Sequence, residues 1–150
     1  MLKPYKKGYT TGVFDVFHVG HLNILKQAKE KCDYLIVGIS TDELVRACKS
    51  KTPVIPFEER MEIVASIKYV DEVVPQRDKN KYEAWKRHRF DVMFVGDDWK
   101  GSKIFKDTEE KFSPHGVEIV YFPYTKGVSS TLLQEKIKNY PEVKSVEGMQ

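Results

Sequence analysis

The sequence predicts an α/β fold, a Rossmann-like doubly wound parallel sheet of about five strands with flanking helices. Three observations predict it. Short apolar runs alternate with amphipathic stretches along the chain. Two of the runs, Asp33-Tyr-Leu-Ile-Val-Gly-Ile39 and Asp91-Val-Met-Phe-Val-Gly96, are nearly continuous, as strands covered on both faces require. The unusual polar residues fall where strands end, which is where such sheets bind ligands.

Residues 9–14 read as the first strand, rich in β-branched and aromatic side chains. Residues 21–31 follow as a helix, with Leu22, Leu25 and Ala28 on one face and lysines on the other. The apolar run over 33–39 is a strand. Ser40-Thr-Asp-Glu43 then fits a capping box and starts a second helix. Residues 49–53 carry lysines, a proline and no apolar period, and read as a loop. Pro56 opens a third helix whose apolar face is Met61, Ile63, Val64 and Ile67. Residues 72–75 form a short strand, 81–87 a helix, 91–96 a buried strand, 103–112 a helix and 117–122 the last strand. Residues 129–140 form the last helix, opened by the capping box Thr131-Leu-Leu-Gln134 and stopped by Pro141.

The 150 residues suit one domain, 1–150, with 141–150 a frayed tail. Hydrophobic residues at 41% and charged residues at 31% exclude a disordered chain. No apolar run approaches the roughly 20 residues of a membrane span, and the start lacks the apolar stretch of a signal peptide. Cys32 and Cys48 are too few for a disulfide framework or a cysteine-built zinc site; both are expected to stay reduced, which fits a cytoplasmic protein. A net charge of +3 suits small anionic ligands and falls far short of the basic stripe that duplex nucleic acid selects. Neither a nucleic acid nor a membrane is expected as partner.

The chemistry concentrates in Thr11-Gly-Val-Phe-Asp-Val-Phe-His-Val-Gly-His21. His18 and His21 follow a strand and stand at the start of a helix, where they can project to one side. Helix N-termini attract phosphate through free N–H groups and the dipole. Gly20 leaves room for a ligand to approach the backbone. Read alone, such histidines also serve as structural groups or as a helix cap. A metal site is disfavoured, because no carboxylate or cysteine stands at ligand spacing nearby.

The string Gly12 to His21 resembles the signature of the HxGH nucleotidyltransferases, in particular their cytidylyltransferase branch. The resemblance runs from residue 9 to about 138. Asp33-Tyr-Leu-Ile-Val-Gly-Ile-Ser-Thr-Asp-Glu43, Glu59-Arg60, Tyr69-Val-Asp-Glu-Val73, Gly96-Asp-Asp-Trp-Lys-Gly101 and Thr125-Lys-Gly-Val-Ser-Ser-Thr131 match that family in order. The Gly-Asp-Asp-Trp-Lys-Gly segment and the short length are most similar to members acting on glycerol 3-phosphate.

The resemblance implies that CTP and a phosphorylated alcohol give a CDP-alcohol and pyrophosphate, by in-line attack on the α-phosphate with no covalent intermediate. Catalysis of that kind rests on positioning and charge stabilisation. His18 and His21 would hold the triphosphate, and Asp15 would orient the site or help hold a metal ion. Gly12, Val13 and Phe14 would meet the nucleotide, the last two mainly through their backbone. Lys49 and Lys51 would bridge the phosphates of the two substrates. Arg60 would lie on the phosphate side or serve a structural role, and Lys81 would bind the acceptor.

Gly96, Asp97 and Asp98 would face the cytosine. Tyr124, Thr125, Gly127, Ser129, Ser130 and Thr131 would wrap the terminal phosphates. Asp71 would serve architecture near a dimer interface. Residues 76–89, with Lys81, Tyr82 and Trp85, would line the alcohol pocket, Trp85 more as core than as a ligand shelf. Mg²⁺ accompanies the triphosphate, and relatives of this length are homodimers whose product feeds teichoic acid or capsule synthesis.

Two positions depart from the family pattern. Tyr124 and Lys68 stand where arginines are usual, and Lys126 would supply part of the missing charge. Three alternatives remain open. One is phosphocholine or phosphoethanolamine as acceptor. Another is an adenylyltransferase acting on a sugar phosphate or flavin mononucleotide. The third is a nucleotide-binding regulator without turnover.

Overall fold

The computed structural model describes residues 2–123 and 125–141. Five parallel strands form one sheet in the order β3-β2-β1-β4-β5. They are β1 (Tyr5–Gly12), β2 (Cys32–Ser40), β3 (Glu72–Gln76), β4 (Val92–Gly96) and β5 (Glu118–Phe122). Six α-helices connect or follow them: α1 (Val19–Lys31), α2 (Asp42–Lys49), α3 (Phe57–Ala65), α4 (Lys81–His88), α5 (Lys103–Phe112) and α6 (Ser130–Lys138). The doubly wound parallel sheet expected from the apolar runs is present.

One core lies on each face of the sheet. Leu25 and Ala28 of α1 and Val64 of α3 pack with Leu35, Val37, Ile39, Val92 and Phe94. Ala84 and Trp85 of α4 and Phe105 and Phe112 of α5 pack with Tyr9, Ile36 and Met93 on the other side. Trp85 is a core residue, as expected. Ile63 is not: it is an exposed residue of α3, because the buried stripe of this short helix runs through Arg60 and Val64 instead.

The strands depart outward from β1 in both directions, so the topological switch point lies between β1 and β4. These two strands pair only at Gly8 with Val92 and Tyr9 with Met93. Beyond that the Thr10 hydroxyl donates to the Phe94 carbonyl at 3.0 Å and takes over the pairing. β1 starts four residues earlier than the sequence suggested, because Tyr5 and Lys7 pair with Cys32 and Tyr34 of β2.

Three helix starts also differ. α2 is capped by Thr41, whose side chain accepts from the Leu44 N–H, one residue after the expected Ser40. α6 is capped by Ser129, two residues before Thr131. α1 begins at Val19, so His18 is its cap and His21 lies in its first turn. Asp71, just before β3, accepts from Lys29 at 2.6 Å and from the Leu35 N–H at 2.7 Å, and so ties α1 to β2. Cys32 is buried and Cys48 exposed, both as free thiols.

Candidate active site

The segment between β1 and α1 carries the site. Phe14 (φ 54°) and Val16 (φ 47°) both adopt left-handed backbone, which is costly for an aromatic and especially for a β-branched residue. Four sets of contacts hold this turn. Arg60 Nη1 donates to the Val13 carbonyl at 2.7 Å. The Asp15 carboxylate accepts from the backbone N–H of Val54 (2.8 Å), Ile55 (2.9 Å) and Val16 (3.1 Å). The Ser130 hydroxyl of α6 donates to the Asp15 carbonyl. His18 caps α1.

The two histidines cap α1 reciprocally. His18 Nδ1 accepts from the Gly20 N–H at 3.0 Å, and His21 Nδ1 accepts from the His18 N–H at 3.3 Å. An Nδ1 that accepts leaves the ring proton of neutral imidazole on Nε2. Both rings are thereby set up as Nε2–H donors. His18 Nε2 is buried and has no hydrogen-bond partner among the described residues. Burial lowers the His18 pKa below its ordinary value. Burial, reinforced by the neighbouring His18, pushes His21 down to about 4, while the Asp15 carboxylate opposes the shift.

Gly20 has a different purpose from the one expected. A Cβ there would stand 2.8 Å from His18 Cε1 and 2.9 Å from His18 Nδ1. The space above this glycine holds the capping imidazole, and is not an open approach for a ligand.

A cavity of about 200 Å³ opens beside this turn. Val13, Phe14, Asp15 and His21 form one wall, Lys49 and Lys51 a cationic second wall with Val45 of α2. Ser130, Thr131 and Gln134 of α6 close the third. The structure thus brings together eight of the residues singled out in the sequence. It adds Val45, an apolar residue on an amphipathic helix that no motif signalled, and Gln134, which the sequence presented only as the end of a capping box.

Other residues lie elsewhere. Arg60 is fully buried. Besides Val13 it donates to the carbonyls of Ile55 (2.8 Å) and Ser40 (2.8 Å) and pairs with Asp42 at 2.6 Å. Its donors are used inside the protein, so the expectation that it binds substrate is corrected to a structural role. Residues 76–89 contribute nothing to the cavity walls, because α4 packs into the core on the opposite face of the sheet. Lys81 starts α4, capped by Asn80, and burial lowers its pKa.

Gly96 ends β4, and Asp97 and Asp98 form an exposed 3₁₀ turn after it. They stand at the carboxyl edge of the sheet but do not line this cavity, and neither does Gly12 at the end of β1. Thr125 accepts from Asn23 Nδ2 at 3.0 Å and ties the last loop to α1. Gly127 adopts left-handed backbone (φ 77°) in the turn before Ser129. Lys68 lies over the Tyr69 ring, 5.2 Å from its centroid, away from the cavity. Tyr124 lies outside the described residues.

A family model described as cytidylyltransferase-like matches residues 9–146. A glycerol-3-phosphate cytidylyltransferase of Bacillus subtilis is 40% identical over 133 residues, covering 88% of this chain and 97% of that protein. An FAD synthase of Thermococcus kodakarensis is 36% identical over 140 residues, covering 87% and 91% respectively. Among solved structures, a lipopolysaccharide core biosynthesis protein of Thermoplasma volcanium superposes with a TM-score of 0.67 at 22% identity, covering 83% of this chain and 99% of that one. That last likeness concerns the fold alone.

Proposed function

The chain belongs to the cytidylyltransferase-like family and is a nucleotidyltransferase, and on that premise we propose that it joins CTP to glycerol 3-phosphate, giving CDP-glycerol and pyrophosphate. The observation that carries the proposal is the shared cavity of His21, Lys49, Lys51 and the first turn of α6. Two lysines supply mobile point charge for phosphates. The N-terminus of α6 supplies amides and dipole for the same groups. The acceptor's phosphate oxygen attacks the α-phosphorus, a new P–O bond forms, and the bond to pyrophosphate breaks. His18 and His21, as neutral Nε2–H donors, stabilise the charge that develops on the α-phosphate oxygens. Lys49 and Lys51 hold the attacking phosphate against the triphosphate, so the gain is one of positioning.

The charge of the cavity walls bears on the acceptor. Choline or ethanolamine phosphate would bring a cation beside two lysines. Asp15, the only carboxylate among the described lining residues, already accepts three backbone N–H groups. The similarity to an FAD synthase supports a second reading, transfer of AMP from ATP to flavin mononucleotide, which the acceptor panel below separates.

Mg²⁺ enters the proposal as the ion that offsets triphosphate charge. Among the described residues no group of three or more His, Cys, Asp or Glu is placed to hold a metal. The side chains do not form a cage for a resident ion; phosphate oxygens and water would supply its ligands. A homodimer, without nucleic acid or membrane, completes the proposal, and its product would feed teichoic acid or capsule synthesis in the cytoplasm. No helix among the described residues is long and apolar enough to cross a membrane.

The test is pyrophosphate release with Mg²⁺, crossing CTP and ATP against glycerol 3-phosphate, phosphocholine, phosphoethanolamine and flavin mononucleotide. Release with CTP and glycerol 3-phosphate alone, lost in His18→Ala, is the expected result. Release only with ATP and flavin mononucleotide would overturn it.

A further inference from the structure

We infer that Gln134 reads the free hydroxyl groups of the acceptor, making it a specificity-determining residue for a phosphorylated polyol. The inference rests on the reading that the cavity takes a phosphorylated alcohol. It starts from the docking of α6. The Ser130 hydroxyl donates to the Asp15 carbonyl and pins the first turn of the helix onto the loop after β1. Gln134 lies four residues on, on the same helix face and about 6 Å further along the axis. It is half-buried in the wall of the cavity. Its carboxamide has no hydrogen-bond partner among the described residues.

Apart from Thr131, whose hydroxyl stands in the helix turn that attracts phosphate, the other polar groups of the cavity are assigned by charge or by contact. Lys49 and Lys51 match phosphate. The Asp15 oxygens accept three backbone N–H groups, and the Ser130 hydroxyl donates to a backbone carbonyl. Gln134 is placed beyond the helix end that attracts phosphate, and it shares the cavity with Val45 and Lys49 of α2. A carboxamide carries both donors and an acceptor in one plane. That set complements neighbouring O–H groups, each a donor and an acceptor. It offers a cationic head group no charge and a single acceptor oxygen. The residue therefore favours a polyol phosphate over an amino-alcohol phosphate.

The test compares wild type with Gln134→Met, a change close in size that removes the amide. Steady-state constants are measured with CTP and three acceptors: glycerol 3-phosphate and its two monodeoxy analogues, propane-1,2-diol 1-phosphate and propane-1,3-diol phosphate. The expected result is a rise of about tenfold in KM for glycerol 3-phosphate. kcat and the KM for CTP stay within about twofold, and at least one deoxy analogue is bound as well by the variant as by wild type. Gln134→Glu, which keeps the length but brings negative charge toward the phosphate, raises the acceptor KM further. Thermal unfolding of both variants at the wild-type midpoint excludes a folding defect. Equal losses on all three acceptors, an unchanged KM for glycerol 3-phosphate, or an effect confined to CTP overturns the inference. Wild-type protein that turns over none of the three overturns the proposed function and the inference together.

Discussion

The imidazoles of His18 and His21 lie face to face, with ring centroids 3.9 Å apart and planes inclined by 24°. Two imidazolium rings at that separation would repel, and both Nδ1 atoms are occupied as acceptors. The arrangement therefore holds both rings neutral and in one tautomer. Electrostatic stabilisation by fixed N–H donors needs no proton transfer during the reaction.

The first prediction concerns pH. Burial lowers His21 from 6.5 to about 4 in the folded protein. kcat/KM should therefore show no His21 ionisation near pH 6.5. A proton NMR titration of the ligand-free protein checks this directly; a His21 midpoint near 6.5 would sink the neutral-donor account.

The same shift makes stability pH-dependent. Between about pH 6.5 and 4 the unfolded chain binds a proton at residue 21 that the folded chain does not bind. Stability falls as the pH drops through that window and this contribution levels off below it. Urea unfolding at stepped pH should show a shallower slope in His21→Gln than in wild type.

Gly20→Ala places a methyl group against the His18 ring. The ring must leave its cap position or the first turn of α1 must move. Displacement of about 1 Å at a reacting centre costs on the order of 100-fold in rate. Single-turnover kinetics should show that loss in the chemical step, with the overall fold retained by circular dichroism.

Arg60→Met removes a buried guanidinium that joins the end of β1, the end of β2, the loop before α3 and Asp42. Three carbonyls and one carboxylate lose their donor. Breaking a buried pair from one side costs about 3–5 kcal/mol; the partial exposure of Asp42 places the expected loss near ~3 kcal/mol. Chemical denaturation measures it, and a loss below ~1 kcal/mol would contradict the role assigned here.

Asp15→Asn replaces an acceptor-only carboxylate by a group with one acceptor oxygen and a donor that faces backbone N–H groups. The 54–55 amides lose part of their anchor, and the neighbouring Lys51 loses its fixed approach to the cavity. The expected outcome is a rise of about tenfold in acceptor KM, with a stability loss of ~1–2 kcal/mol. Kinetics at saturating CTP separate the two effects.

Local pattern made much of this protein legible. The apolar runs over 33–39 and 91–96 identified parallel strands buried on both faces, because only such strands lack a polar side. The spacing of His18 and His21 at a strand-to-helix junction marked the site. The caps were harder: Ser40 and Thr41 are both competent, as are Ser129 and Thr131. Which one caps depends on whose side chain reaches a free N–H. The sequence leaves Arg60 between a phosphate-side and a structural role, since nothing local distinguishes a buried arginine from an exposed one. Residues 76–89 looked like pocket wall, and their helix faces the opposite core.

Sequence pattern alone was enough for the parallel α/β architecture, the place of the histidine turn after the first strand and the charged residue types around it. Periodicity and motif spacing are properties of neighbouring residues, and neighbours suffice to set them. Folding alone places α6, returning from β5, against the β1 turn to close the cavity, with Ser130 on Asp15 and Gln134 lining the same cavity as Val45 and Lys49. It also decided that Arg60 ties strand ends together and that the backbone N–H groups of Gly20 and His18 fix the tautomers of His18 and His21. These are contacts between distant or reoriented groups. Their energies depend on burial and on which donors remain free, and neither is defined until the chain has folded.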